Sequence, residues 1–289
     1  MDFYLSAILL GLAYCGMGLG IYITLRIFNI PDITTDGSFT LGASVTAALL
    51  SQQYPIVTAL LMSMIAGSLA GLATGIIHTR LKINPLLSGI LVMTALYSVN
   101  LSIMGRSNIP LINTANLLQL TNWFQREQYN WLLLMAIVAL GLWCLISWLL
   151  KTDFGLSMRA TGNSETMIRA LGVNTDGMKV IGLMIANALT ALSGFLVCQF
   201  QQFADINMGI GIVIFGLGAV MMGESLLNAL RIQSIPLRLA GVIAGCILFR
   251  IIIGAALTFG INPNWLKLVT AVIVLVVVGL PNIKRRAGN

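Results

Sequence analysis

The sequence predicts an all-α fold, a polytopic transmembrane helical bundle of about nine spans. Two observations lead to this prediction: 58% of the 289 residues are hydrophobic, and the mean hydropathy is +0.94, far above the range of soluble proteins. Several apolar stretches also approach the ~20 residues that a helix needs to cross a bilayer. Residues 1–289 are therefore expected to form a single transmembrane domain.

The predicted spans follow the apolar stretches in chain order. Short polar segments separate them, and the two longest are residues 105–130, rich in Asn, Gln and Pro, and residues 151–179, rich in charge. The spans cover residues 5–25, 28–50, 54–77, 85–104, 131–150, 180–198, 206–223 and 235–259, followed by a last stretch that ends near Ile283.

The placement of the basic residues predicts the orientation of the bundle. Cytoplasmic loops carry an excess of Lys and Arg, so the N-terminus is expected outside and the C-terminus in the cytoplasm. This makes 105–130 an external loop and 151–179 a cytoplasmic one, and the net charge of +7 then reflects topology and no nucleic acid partner. Twelve of the sixteen basic residues are then cytoplasmic: Arg26, Arg80, Lys82, Lys151, Arg159, Arg169, Lys179, Arg231, Arg238, Lys284, Arg285 and Arg286.

The second span is the least regular of the nine. Its apolar run is only about 14 residues long and follows Pro31, Asp32, Asp36 and Gly37. Such a run is too short for an ordinary crossing, so the helix either starts inside the membrane after an irregular segment or is broken. Asp36 is expected to cap its start, because a carboxylate accepts from free backbone N–H groups there.

Small and polar residues mark two further spans. Gly67, Gly71 and Gly75 are spaced four apart on the third span, which allows a close helix contact either within the chain or between subunits. The fourth span carries a polar stripe that either lines a pathway or hydrogen-bonds adjacent helices; it consists of Thr94, Tyr97, Ser98 and Asn100. An aromatic belt at the membrane interface is predicted at Trp123, Phe124, Tyr129 and Trp131.

Two later spans contain strongly polar groups. Asn187 is the one such residue in the middle of the sixth span, and Arg250 lies within the eighth. A charge in a membrane helix usually faces protein or water, so Arg250 is a functional candidate. The structural alternatives are an ion pair and a side chain that reaches the outer surface.

The sequence contains no catalytic constellation and is not expected to be an enzyme. It has one His, no H-E-x-x-H or G-x-S-x-G motif, no metal-ligand spacing among its cysteines, and no G-x-x-x-x-G-K-[ST] nucleotide loop. The chain therefore binds no cofactor by these routes. Any energy for transport has to come from a partner or from an ion gradient.

The cytoplasmic loop is predicted to contain one compact helix at residues 162–172. Asn163 or Ser164 can cap its start, Glu165 and Arg169 can pair at i,i+4, and Gly172 can end it. Met167, Ile168 and Leu171 form an apolar face on this helix. A helix of about two turns is not stable alone, so this face needs a surface, either a partner or the protein's own inner loops.

The same loop resembles the coupling segment of permeases from bacterial ABC importers of the branched-chain amino acid and ribose type. That segment commonly reads G-x-x-x-R-A-x-G-x-N-x-x-A-A-x-x-x-G-I/V, and this chain departs from it at Thr166 and Met167, where many members have small residues. The stretch PDITTDGSFTLGA resembles a subgroup assigned to uptake of tryptophan, tyrosine or related solutes. The residues that match the coupling pattern are Gly155, Arg159, Ala160, Gly162, Asn163, Ala170, Leu171, Gly172 and Val173.

The resemblance implies a multi-pass permease of the bacterial inner membrane that imports a small solute. Two cytoplasmic ATPases, which bind ATP and Mg, would each contact a coupling helix, and an external binding protein would deliver the solute. A homodimer of permeases and an aromatic amino acid substrate are expected. The implied coupling residues are Arg159, Gly162, Asn163, Ser164, Glu165, Met167, Ile168, Arg169, Ala170, Leu171 and Gly172.

Within this framework the polar residues of the spans become candidates for the translocation pathway. They are Asp36, Ser38, Thr40, Tyr97, Asn100, Asn187 and Arg250. A nucleoside or a small sugar is the alternative substrate. An ion-coupled secondary transporter is the alternative class, although it would need membrane-embedded acidic residues, whereas the Asp and Glu residues here are expected near span ends.

Overall fold

The computed structural model describes residues 2–112, 114–120, 125–229, 234–258, 260, 262 and 265–287. The predicted sites Trp123, Phe124 and Arg231 lie outside these ranges. Within them the chain is almost entirely helical. The α-helices are α1 (Asp2–Ala13), α2 (Cys15–Tyr22), α3 (Thr34–Ser51), α4 (Ile56–Arg80), α5 (Pro85–Met104), α6 (Glu127–Leu149), α7 (Asp153–Asn163), α8 (Glu165–Ala170), α9 (Thr175–Gln201), α10 (Ile212–Ala229), α11 (Ile235–Thr258) and α12 (Leu266–Ala287).

Helix α9 forms the centre of the bundle. It packs against α2, α3 and α4 along its length and contacts α7 near its start. Its residues from Leu189 to Gln199 are buried without interruption, which is the pattern of a helix surrounded by protein. The two ends of α9 define the two ends of the molecule: the loop end, formed by residues 151–179, and the ribbon end, where two short strands pair.

The described helices confirm a polytopic α-helical bundle. Five of them, α4, α5, α6, α9 and α11, are long and apolar enough to cross a membrane. The pair Tyr4–Ala13 and Cys15–Ile27 is a candidate for a sixth, broken span; it is bent by 43° and ends in a π-helix at Ile23–Ile27. Helices α10 and α12 contain shorter apolar runs. The count of nine spans and the orientation of the bundle remain predictions.

The second predicted span is a continuous helix, α3, preceded by an irregular segment at residues 28–33. The break therefore lies before the helix and not inside it, while the sharp bend occurs in the first span. The expected cap is also wrong: α3 begins at Thr34, whose N–H donates to Asp32 Oδ1 at 2.9 Å. Asp36 lies in the first turn of α3, and its carboxylate contacts another helix instead.

The three glycines of α4 face α9 within the same chain. A Cβ atom at Gly67 would meet Ala191 and Asn187, one at Gly71 would collide with the Leu183 carbonyl, and one at Gly75 would meet Val180. Of the two alternatives for this ladder, the internal helix contact is therefore confirmed. The absence of side chains allows the two backbones to approach closely enough for dispersion contacts along their length.

The ribbon end contains the two strands found in the described ranges. Strand β1 (Asn108–Pro110) pairs antiparallel with β2 (Phe203–Asp205), and this pairing ties the predicted external loop to the end of α9. Trp131, predicted to belong to an interfacial belt, is instead buried and makes an edge contact with Phe200 at 5.5 Å. The contact with Phe200 places this ring against the end of α9 and away from an exposed belt. Tyr129 is exposed.

The α4–α9 contact predicts a large difference between two glycine substitutions. Gly71→Ala places a methyl group against the α9 backbone, and overpacking of this kind is expected to destabilise the protein by about 1–3 kcal/mol. Gly141→Ala in α6 is the control, since no heavy atom beyond its own helix lies within 4 Å of a Cβ there. Thermal unfolding of both variants in detergent measures the effect. Equal melting temperatures would contradict the contact.

Candidate functional site

The loop 151–179 contains two helices where the sequence predicted one. Helix α7 starts at Asp153 because Thr152 caps it, with Oγ1 accepting from the Gly155 N–H at 3.3 Å. Ser164 separates α7 from α8 in an extended conformation (φ −154°, ψ 95°), without a side-chain hydrogen bond to α8. The predicted coupling residues Arg159, Gly162 and Asn163 therefore lie on α7, residues 165–170 form α8, and Leu171 and Gly172 follow it. Gly172 has φ +85°, which ends α8 as predicted.

The motif glycines of α7 are positions of close backbone approach. A Cβ at Gly155 would collide with Leu149, at the end of α6, and a Cβ at Gly162 would collide with the Ile27 carbonyl. The Asn29 side chain also donates to the Gly162 carbonyl at 3.1 Å. These contacts fix α7 between α6 and the irregular segment that precedes α3.

A cluster of charged side chains joins α8 to the start of α9. The predicted pair forms, with Arg169 Nη2 at 2.9 Å from Glu165 Oε1. Glu165 Oε2 is also 2.6 Å from Lys179 Nζ, and Arg169 contacts Asp176 at 3.1 Å and Thr175 Oγ1 at 2.9 Å. We refer to Glu165, Arg169, Thr175, Asp176 and Lys179 as the α8–α9 tether.

The carboxylate of the tether, Glu165, is ionised at neutral pH. The hydrogen bond from Lys179 is the main reason that the pKa of Glu165 lies below its usual value, and the charges of Lys179 and Arg169 lower it further. A carboxylate with a lowered pKa in the folded state contributes stability above its ordinary pKa and loses it only as the pH falls through the lowered value. Glu165 therefore stays ionised throughout the neutral range.

The apolar face of α8 is not covered by the described part of the chain. Met167 is 64% exposed and Leu171 is 70% exposed, whereas Ile168 is half-buried. Met167 and Leu171 therefore do not pack on the protein's own inner loops, which was the alternative predicted for this face. An exposed apolar face on a helix tethered by ion pairs is typical of a docking surface for another protein.

Two of the seven pathway candidates belong to a buried hydrogen-bond network between α3 and α9. Asn187 Nδ2 donates to Asp32 Oδ2 at 2.8 Å, and Ser38 Oγ donates to Asn187 Oδ1 at 2.7 Å. Thr34 Oγ1 lies 2.7 Å from Thr74 Oγ1 beside them. Asp32 was missed among the candidates, although its position two residues before a helix start, with Thr34 following, is a recognisable capping pattern.

Four other candidates line one cleft, which we call the α5 cleft. They are Asp36, Thr40, Tyr97 and Asn100, and the cleft measures about 290 Å³. Asp36 accepts from the backbone N–H groups of Gly211 at 3.0 Å and Val213 at 2.8 Å, so it caps α10. Of the two alternatives for the polar stripe of α5, the hydrogen bond to an adjacent helix is made by Asn100, which donates to the Gly37 carbonyl at 3.3 Å. Tyr97 is exposed in the cleft, and its place in a pathway stays a prediction.

Arg250 lines a second cleft of about 460 Å³, together with Lys267 and Thr270. Its guanidinium carbon lies 4.3 Å from the centre of the Tyr14 ring and 5.2 Å from that of Phe215. Arg250 forms no ion pair with a carboxylate in the described ranges. The ion-pair alternative is therefore not supported within these ranges. Instead of an ion pair, the guanidinium of Arg250 makes cation–π contacts with the Tyr14 and Phe215 rings.

Comparison with known proteins agrees with this architecture. The family model described as branched-chain amino acid transport system / permease component matches residues 3–279. A tyrosine transport system permease protein of Clostridioides difficile is 39% identical over 92% of this chain and 87% of its own length. An uncharacterised protein of Rickettsia prowazekii is 32% identical over 99% of both chains.

A more distant relative transports a sugar. The galactofuranose transporter permease protein YtfT of Escherichia coli is 26% identical over 85% of this chain and 70% of its own length. No solved structure matches the chain. The family match covers nearly the whole sequence, and the relatives with described roles are transport permeases and not enzymes. The protein therefore belongs to the branched-chain amino acid transport system permease component family, as a multi-pass permease subunit of the inner membrane.

Proposed function

We propose that this permease forms the membrane part of an ABC importer for an aromatic amino acid, with tyrosine as the first substrate to test. Two copies of the chain enclose the pathway, an external binding protein delivers the solute, and two cytoplasmic ATPases supply the energy. The single observation that carries the proposal is the exposed face of α8 at Met167 and Leu171. It offers a surface for a partner on a short helix that the tether holds in place.

The α8–α9 tether supports a mechanical role for this helix. Movement of α8 acts on α9 through Glu165, Arg169 and Lys179. Since α9 packs against α2, α3 and α4, a shift at its start changes contacts throughout the bundle. Asn187 lies near the middle of α9 and bonds Asp32 and Ser38 across to α3. This is the physical chain along which ATPase closure would reach the candidate pathway.

The choice of substrate rests on the relatives. The tyrosine transport permease of Clostridioides difficile shares more of its sequence with this chain than the galactofuranose permease does. In addition, the α5 cleft combines Tyr97 and Met93 with the polar groups of Asp36 and Thr40, which suits a side chain that is apolar with one polar end. A small sugar or a nucleoside is the second candidate substrate.

One observation favours the ion-coupled alternative. Asp32 is a buried carboxylate that bonds to the middle of α9, and buried acids in membrane proteins often mark ion pathways. Its two oxygens, however, already accept from Thr34 and Asn187, which gives it a structural task at the start of α3. An ion-coupled transporter also needs no ATPase partner, so it would not explain the exposed apolar face of α8.

The first prediction concerns substrate and energy source together. The permease is reconstituted in proteoliposomes with its proposed partners, an ABC ATPase and an external binding protein from the same cell, and ATP hydrolysis is measured with a panel of solutes. We expect stimulation by tyrosine above that by tryptophan, leucine, uridine or ribose, and uptake that persists when ionophores abolish ion gradients. Stimulation by ribose or uridine alone would replace the amino acid assignment. Uptake that requires an ion gradient and no ATP would overturn the importer.

The second prediction tests the face of α8. Met167→Ser combined with Leu171→Ser removes two apolar side chains, each of which contributes about 1.5–3 kcal/mol when buried in a complex. Association with the ATPase should weaken by more than about tenfold, while the melting temperature of the permease stays unchanged because both side chains are exposed. Leu81→Ser is the control, since Leu81 is 64% exposed but lies outside α8. Pull-down of the ATPase measures the effect, and equal recovery for all variants contradicts the docking surface.

The third prediction tests the tether. Glu165→Gln removes the carboxylate that binds both Arg169 and Lys179. Partly exposed pairs contribute about 0.2–1 kcal/mol each, so solute-stimulated ATP hydrolysis should fall about two- to fivefold without loss of the fold. Asp153→Asn is the matched control, because Asp153 is exposed at the loop end and forms no ion pair with a described residue. Unchanged transport by Glu165→Gln would disprove transmission through the tether.

A further inference from the structure

A third cleft lies at the loop end, where the end of the first span, α7 and the start of α11 meet. It measures about 500 Å³, and we call it the loop-end cleft. Three arginines line it, Arg26, Arg159 and Arg238, and each comes from a different one of these elements. Of the three, the proposed coupling role involves only Arg159. Its other lining residues are Tyr22, Ile27, Asn29, Leu156, Ala160, Gly162, Asn163 and Ile235.

The cleft carries an excess of positive charge. Arg26 pairs with Glu224, but neither Arg159 nor Arg238 forms an ion pair with any carboxylate in the described ranges. Arg26, Arg159 and Arg238 line the same cleft, so three guanidinium groups lie around one shared space. Two guanidinium groups beyond the single carboxylate create a strong positive potential in a partly enclosed space.

The position of the cleft points to the membrane surface. Arg26 lies at the end of the first span, and Arg238 lies in the first turn of α11, which is itself long and apolar enough to cross. The cleft is therefore at the height where spans end and lipid headgroups begin. Apolar side chains also line the cleft: Leu156, which is 57% exposed, and Ile27 and Ile235.

We propose that the loop-end cleft binds the phosphate group of an anionic phospholipid. Arginine side chains bind phosphate oxygens through paired N–H groups, and basic pockets at the cytoplasmic ends of spans suit anionic headgroups. Leu156 and Ile235 give the acyl chains an apolar surface, which free phosphate would not need. A lipid held there connects α7 of the coupling segment to the first span and to α11.

The binding experiment uses the full-length permease, delipidated in detergent and titrated with phosphatidylglycerol or phosphatidylcholine by native mass spectrometry. Wild-type protein is expected to retain phosphatidylglycerol selectively. In the double variant Arg159→Gln, Arg238→Gln, the affinity for phosphatidylglycerol should fall at least about tenfold, because two of the three phosphate-binding groups are lost. Lys82→Gln with Lys151→Gln is the control with the same charge change; both lysines are exposed at the loop end, outside the cleft, and binding should be unaffected.

Two further arms make the outcome decisive. Arg159→Gln alone leaves packing intact, since Arg159 is exposed, and should weaken binding even if the double variant is unstable. Inorganic phosphate is added as a competitor: if it displaces phosphatidylglycerol completely at matched concentration, the anion chemistry stands and the assignment to lipid is wrong. Equal binding by wild type and the arginine variants, or equal retention of the two lipids, overturns the proposal. So does loss of ATPase association with unchanged lipid binding, which would assign the cleft to an acidic segment of the ATPase.

Discussion

A bilayer offers no water to backbone groups that leave a helix, and the arrangement around α3 follows from this constraint. The irregular segment 28–33 and the start of α10 both expose N–H groups inside the bundle. Asp32 satisfies the first turn of α3 and Asp36 satisfies the first turn of α10. Both carboxylates therefore hold helix starts, and through them α3 is bonded to α9 at Asn187 and to the start of α10.

Close contact between α4 and α9 makes the rest of the bundle possible. The glycines of α4 bring its backbone against α9, and α9 in turn holds α3 through Asn187. One end of this packed centre carries the α8–α9 tether, and the other carries the strand pair. A force applied to α8 would therefore reach α9 through these ion pairs, as the proposed importer mechanism requires.

The loop end combines two different kinds of surface. The face of α8 at Met167 and Leu171 is apolar and exposed, whereas the loop-end cleft beside α7 is strongly basic. The first suits a protein partner and the second suits a phosphate group. Since α7 and α8 meet at Ser164, an occupant of either surface influences the position of the other. Lipid composition and ATPase docking would then act on the same short segment.

Local sequence patterns determined much of this protein. Composition predicted the helical bundle, the spacing of Glu165 and Arg169 predicted their pair, and Gly172 predicted the end of α8, because each of these depends on residues within one or two helical turns. The motifs of the loop and of residues 31–43 also predicted the family, which the comparisons confirm.

Contacts between distant segments were decided only by the tertiary structure. Asp36 bonds a residue 175 positions away and Asn187 bonds one 155 positions away, so no local spacing could show that Asp36 caps α10 or that Asp32 completes the buried network. The same cause explains three other features that the sequence did not show. These are the division of the pathway candidates among two clefts and this network, the extra helix α7, and the convergence of three arginines at the loop end. They depend on which helix faces meet, and that is set by packing of the whole bundle.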